Sequence, residues 1–96
     1  MTRDQIIDFL RQHQQEMHDH FGVTKIGLFG SFACGDARED SDIDIAVELE
    51  GEHLFRKFFA LEMFLKTGLR KEIDLGIAST LKPMIRENIL REIYYA

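Results

Sequence analysis

The chain has 96 residues, a formal net charge of −5, 45% hydrophobic residues and 30% charged residues. This length suits one compact domain, residues 1–96, and is too short for two. The negative charge disfavours a module that grips an extended nucleic acid, because such binding needs many Lys and Arg contacts to phosphates. A single cysteine cannot form an internal disulfide, and we find neither a leader segment nor a run of about 18 apolar residues. We therefore expect a cytoplasmic protein with no membrane span.

The first predicted elements are a helix and a strand. Residues 3–20 carry apolar side chains at three- and four-residue steps, which predicts one amphipathic helix. Thr2 and Gln5 have the spacing of a capping box at its start. The apolar run of residues 23–29 predicts a strand that ends at Gly30.

The next elements lead into a strand with two acids. Residues 31–35 are predicted to form a single helical turn closed by a glycine, and residues 36–40 a polar loop. Residues 43–49 alternate apolar and polar side chains, the period-two pattern of a strand with one buried face. Asp42 and Asp44 therefore share the other face.

The second half predicts a helix, a strand and a last helix. Residues 54–65 form a helix whose apolar face is wider than one packing stripe needs, so it can cover the sheet and a partner as well. Gly68 is expected to end this helix. Residues 73–77 form a third strand with Asp74 on the face opposite its apolar residues, and a final helix begins near Pro83. The apolar side of this final helix would consist of Ile85, Ile89 and Ile93. Helices alternating with three strands predict an α/β or α+β fold with helices on a small sheet.

Three acids and a glycine-serine pair are the candidate functional residues. A lone Asp-x-Asp on a strand is more often a solvated edge, and a lone Gly-Ser is more often a plain helix cap. If the strand with Asp74 lies beside the strand with Asp44, the carboxylates of Asp42, Asp44 and Asp74 converge, and such oxygen ligands suit Mg²⁺. The Gly30 backbone and the Ser31 hydroxyl would then hold a phosphate. Together they predict a phosphoryl-transfer site with two metal ions.

These residues also form an ordered set of motifs: Gly30-Ser31, ten residues, Asp42-x-Asp44, with Gly35, Ser41 and a later Asp74. The set resembles the DNA polymerase beta-like nucleotidyltransferase superfamily and, at this length, its minimal nucleotidyltransferase group. The resemblance covers essentially the whole chain. It implies a palm-like core with a mixed sheet, Mg²⁺ bound by Asp42, Asp44 and Asp74, and ATP gripped near Gly30 and Ser31. It also implies a helical HEPN-domain partner, often a toxin ribonuclease. Some members act as antitoxins that transfer AMP from ATP to a tyrosine of that partner.

One position departs from the family pattern. Many members carry Arg immediately before the second glycine of the motif, where this chain has Cys34. Arg38 is close enough to replace that cation at the nucleotide, although it could equally be a solvated loop residue paired with Glu39 or Asp40. By the same resemblance, Ser41 belongs to the nucleotide-binding set.

The predicted activity is Mg²⁺-dependent transfer of AMP to a hydroxyl of a separate protein, because no segment remains here to present an acceptor. Asp42 and Asp44 would share both metals, and Asp74 would bind the catalytic metal and help to deprotonate the acceptor. One rival is a nucleotide-binding module that neutralises its partner by occlusion alone. A second rival, transfer to RNA ends, is disfavoured by the net charge. A homo-oligomer and a hetero-oligomer are both compatible with the sequence.

Overall fold

The computed structural model describes residues 1–35, 37–38, 40–78 and 93–96. Within these residues, helices and strands alternate along most of the chain. Their bounds are α1 Arg3–Gln12, α2 Gln14–Phe21, β1 Val23–Phe29, α3 Ser31–Cys34, β2 Ile43–Leu49, α4 Leu54–Leu69, β3 Ile73–Ile77 and β4 Tyr94–Tyr95. The predicted final helix falls on residues outside the described ranges, except for Ile93, which lies just before β4.

The strands form one mixed sheet in the order β3-β2-β1-β4. β1 is antiparallel to both of its neighbours, and β2 is parallel to β3, to which α4 connects it. A parallel pair needs a crossover of this kind, because a short turn cannot bring the chain back to the same end of the sheet. The predicted fold class, helices on a small mixed sheet, is confirmed. The sequence predicted three strands, and β4 adds a fourth at the outer edge of β1.

The N-terminal helical segment is divided at His13, so the prediction of one continuous helix is wrong there. His13 has φ −102° and ψ 10°, outside the helical range, and its ring centroid lies 4.4 Å from that of Phe9 and 5.5 Å from that of Phe64. This aromatic packing accompanies the break. The predicted capping box is confirmed: the Gln5 N–H donates to Thr2 Oγ1 at 3.2 Å, and the Thr2 N–H donates to Gln5 Oε1 at 2.9 Å.

Gly68 does not end α4, contrary to the prediction from sequence. The helix continues through Leu69, and Arg70 adopts the left-handed conformation with φ 56°. A Cβ built at Gly68 would overlap the ring of Phe9, with 2.6 Å to its Cε2. The absence of a side chain at Gly68 therefore leaves room for the ring of Phe9, on α1, to lie against α4.

The apolar core lies between the helices and one face of the sheet. Its fully buried side chains include Ile6, Leu10, Met17, Leu28, Ile43, Ile45, Leu61 and Leu65. The inward positions of the strands alternate with positions on the opposite face, which carries Asp44, Ala46 and Asp74. Among the described residues, no helix is both long enough and apolar enough to cross a membrane.

Candidate active site

Adjacent strands bring two of the predicted acids together. β2 and β3 run parallel, and their register places Asp44 opposite Asp74. On its other side, Asp44 lies opposite Phe29, the last residue of β1 before Gly30. The acids and the glycine-serine turn, which are separate in sequence, therefore meet at one end of the sheet.

Asp44 is the electrostatic centre of this cluster. Partial burial of the carboxyl raises the pKa of Asp44 to about 6, with further contributions from the charge of Asp74, a hydrogen bond with Asp74 and the charge of Asp42. Each cause disfavours the ionised form of Asp44. Asp42 and Asp74 are exposed, and Asp42 lies immediately before β2. The cluster holds negative charge that a bound cation would stabilise.

Gly30 brings the backbone against this cluster. Its φ is 77° and its ψ −152°, a conformation that is essentially restricted to glycine. A Cβ at this position would overlap the carboxylate oxygen of Asp44 and lie 2.9 Å from its Cγ. Ser31 follows as the half-buried first residue of α3, and Gly35, with φ 81°, follows the last residue of this helix. The predicted helical turn closed by glycine is confirmed, and it begins beside Asp44.

Ser41 and Arg38 form a braced turn just before the acids. The Arg38 N–H donates to Ser41 Oγ at 2.8 Å, and the Ser41 N–H donates to the Arg38 carbonyl at 3.0 Å. Ser41 is half-buried and Arg38 is exposed. The turn fixes the approach of the chain to Asp42. The nucleotide-binding roles of both residues stay predictions.

The carboxylates of this cluster suit a magnesium ion that is also bound by substrate phosphates. Across residues 1–35, 37–38, 40–78 and 93–96, no group of three or more His, Cys, Asp and Glu side chains is arranged to hold a metal ion. Mg²⁺ usually retains waters and binds one or two carboxylates together with substrate phosphates, rather than a cage made of protein ligands alone. Asp44 beside Asp74, with Asp42 next to them, fits that requirement.

Two cations near α3 were not identified from the sequence. The Arg3 Nη1 donates to the Ala33 carbonyl at 3.4 Å, and its guanidinium lies 4.5 Å from the Tyr94 ring centroid. The Lys71 ammonium lies 5.6 Å from the ring centroid of Phe32. No spacing rule links these residues, because each contact joins distant parts of the chain.

Comparisons with known proteins identify the family of the chain. Residues 7–95 match the model of the nucleotidyltransferase domain family. The chain is 41% identical over 95 residues to the protein adenylyltransferase MntA of Thermococcus cleftensis, with 99% of this chain and 96% of that protein covered.

Two solved structures share the fold. A candidate minimal nucleotidyltransferase superposes with a TM-score of 0.77 at 30% identity, covering 98% of this chain and 95% of the other. A toxin-antitoxin structure with AMP-PNP superposes with a TM-score of 0.70 at 24% identity, covering 99% of this chain and 72% of the other. The second likeness concerns the fold alone.

Proposed function

Because this chain belongs to the nucleotidyltransferase domain family, in its minimal group, we propose that it transfers AMP from ATP to a hydroxyl of a partner protein. The observation that carries the proposal is the Asp44–Asp74 pair beside the Gly30 backbone. The relative with 41% identity is a protein adenylyltransferase over nearly the same length, which supports the same activity here. In this role residues 1–96 act as one nucleotidyltransferase domain in the cytoplasm, where ATP is available.

The proposed roles of the residues follow from their positions. Asp42 and Asp44 would hold two Mg²⁺ ions, and Asp74 would help to hold one of them, the catalytic metal. The Ser31 hydroxyl donates to a phosphate oxygen, and the Gly30 backbone allows that phosphate to approach. Ser41 and Arg38 lie on the turn that leads to Asp42, at the rim of the nucleotide site.

The reaction is an in-line displacement at the α-phosphorus. The acceptor oxygen forms a bond to this phosphorus while the bond to the bridging oxygen of pyrophosphate breaks, so pyrophosphate leaves with that electron pair. The acceptor proton passes to the carboxylate of Asp74, which is exposed and therefore accessible to an incoming hydroxyl. Bound magnesium would neutralise phosphate charge and lower the pKa of the acceptor hydroxyl.

The surface of α4 supports a protein partner. The side chains of Phe55, Phe59 and Met63 recur at four-residue steps along the helix and are 81%, 56% and 65% exposed. Phe55 and Phe59 line a groove that is also lined by Leu75 and Ile77 of β3. Exposed apolar surface of this kind is typical of a protein interface. The proposed partner is a helical HEPN-domain toxin, with a tyrosine as the acceptor and this chain as the antitoxin; the fold that this chain shares with a toxin-antitoxin structure agrees with that assignment.

Mass spectrometry of the co-expressed pair tests the proposal. After incubation with ATP and Mg²⁺, we expect adenylate on a tyrosine of the partner with the native chain and none with Asp42→Asn. A partner that is inhibited but never modified would instead establish inhibition by occlusion, the function of a binding module. If no helical protein binds to this chain, the antitoxin assignment is wrong.

A further inference from the structure

Lys71 lies at the end of the sheet where the candidate site is built. It precedes β3 by two residues, and the Ile43 N–H donates to the Glu72 carbonyl at 3.0 Å, so the chain at Lys71 runs beside the start of β2. Its ammonium lies 5.6 Å from the ring centroid of Phe32. Phe32 is the second residue of α3 and is only 4% exposed. The positive charge is therefore held over the helical turn that Ser31 begins.

A triphosphate bound at this site would need positive charge beside it. The site already contains the carboxyl groups of Asp42, Asp44 and Asp74, with Asp44 opposite Asp74 on the adjacent strand. A triphosphate brings further negative charge, which bound magnesium ions only partly neutralise. A lysine within reach of the phosphates reduces this repulsion and donates charge-assisted hydrogen bonds.

Two other cations of the described chain, Arg3 and Lys66, have different contacts. The guanidinium of Arg3 donates to the Ala33 carbonyl and lies over Tyr94, which ties α1 to α3 and β4. The ammonium of Lys66 lies 3.6 Å from Glu62 Oε1 and 3.4 Å from Glu72 Oε2. Lys71 differs from both in position, since its ammonium lies over Phe32 of α3, the helical turn that follows Gly30.

We propose that Lys71 binds the triphosphate of ATP, with its stem packed on Phe32 and its ammonium directed to the β- and γ-phosphates. The proposal rests on the proposed function, because it requires ATP to bind beside Ser31 and Asp44. Lys71 is then a substrate-binding residue that discriminates ATP from AMP. Lysine serves this purpose as a compact charge on a flexible stem, which can move from the ring to a phosphate.

Calorimetry with ATP and with AMP, each in Mg²⁺, tests this role. Lys71→Met keeps the stem over Phe32 and removes the charge, so we expect roughly tenfold weaker ATP binding, the usual size of a lost charge-assisted hydrogen bond, with AMP binding changed by less than about twofold. Lys71→Arg should retain ATP affinity. The matched control is Lys25→Met, because the Lys25 ammonium also lies over an aromatic ring, 5.0 Å from the centroid of Tyr95, on another strand.

The outcomes separate the two proposals. If native protein binds ATP in a manner that depends on Asp44, but Lys71→Met has unchanged ATP affinity or loses ATP and AMP binding equally, the role of Lys71 is wrong and the proposed function stands. If the native protein does not bind ATP in Mg²⁺, both are overturned. Thermal unfolding of each variant verifies folding, and Lys71→Gln replaces Lys71→Met if the latter is unstable.

Discussion

The backbone of Gly30 lies directly against the carboxylate of Asp44, so closely that a Cβ at position 30 would lie 2.9 Å from Asp44 Cγ. The contact joins the end of β1 to the acid on β2 and places the start of α3 beside it. A nucleotide held by the turn at Ser31 would thus have its phosphates next to Asp44. The glycine serves two purposes here, since it adopts a positive φ and also leaves room for the acid.

Gly30→Ala should therefore abolish ATP binding and destabilise the fold. We expect a loss of about 1–3 kcal/mol from the strained backbone, with a further loss because the new Cβ displaces Asp44. Urea unfolding and ATP calorimetry measure the two effects. Gly35→Ala is the matched control: its φ is 81°, but apart from its chain neighbours no atom of the described residues lies within 4 Å of the added Cβ. Equal ATP affinity in the two variants would contradict the importance of the Gly30–Asp44 contact.

Asp74→Asn should separate binding from catalysis. If Asp74 accepts the proton of the acceptor, its loss reduces the transfer rate on the order of 10²–10⁴-fold, whereas Asp42, Asp44 and Ser31 retain much of the ATP affinity. Single-turnover kinetics with the partner measure the transfer rate, and calorimetry measures the ATP affinity. Asp44→Asn, in contrast, should weaken both. Near-native transfer by Asp74→Asn would show that this acid lies on an ordinary solvated strand.

The stability of the metal-free protein should fall as pH rises through about 6. Folding raises the pKa of Asp44 from 3.8 to about 6, so the native state binds its proton more tightly than the unfolded state. This contribution is fully present below pH 3.8 and is lost as the pH passes about 6. Thermal unfolding of the native chain and Asp44→Asn in EDTA tests it: the native Tm should decline between pH 5 and 8 relative to the variant. Adding Mg²⁺ should offset the decline at pH 8, and parallel pH profiles for the two proteins would contradict the role of Asp44.

The exposed stripe on α4 should be required for the complex and dispensable for ATP binding. In Phe55→Ser with Phe59→Ser, the lost apolar contact should weaken association with the partner by a factor of about 10 or more. Analytical ultracentrifugation of the mixed proteins measures this, and calorimetry should give an unchanged ATP affinity. Ala60→Ser is the control, since Ala60 is exposed on the same helix. An intact complex with the double variant would assign the interface to another surface.

Local patterns in the sequence determined the elements that carry the site. The alternation in residues 43–49 predicted β2, and the spacing of Thr2 and Gln5 predicted the capping box that begins α1. The helical turn closed by Gly35 was also predicted, because a glycine after so short a segment is a local signal. Each of these features depends on residues within a few positions of one another. The local order and spacing of residue types are therefore enough to predict them.

Tertiary packing decided the rest. Gly68 resembles a helix stop in sequence, but the ring of Phe9 occupies the space beside it, and α4 continues. The pairing of Asp44 with Asp74 depends on the parallel register of strands that α4 separates by more than twenty residues, and the raised pKa of Asp44 follows from that pairing and from burial. The position of Lys71 over Phe32 likewise requires the strands to be assembled. The sequence determined which chemical groups are present, whereas distances between them arise only when burial of the core fixes strand order and register.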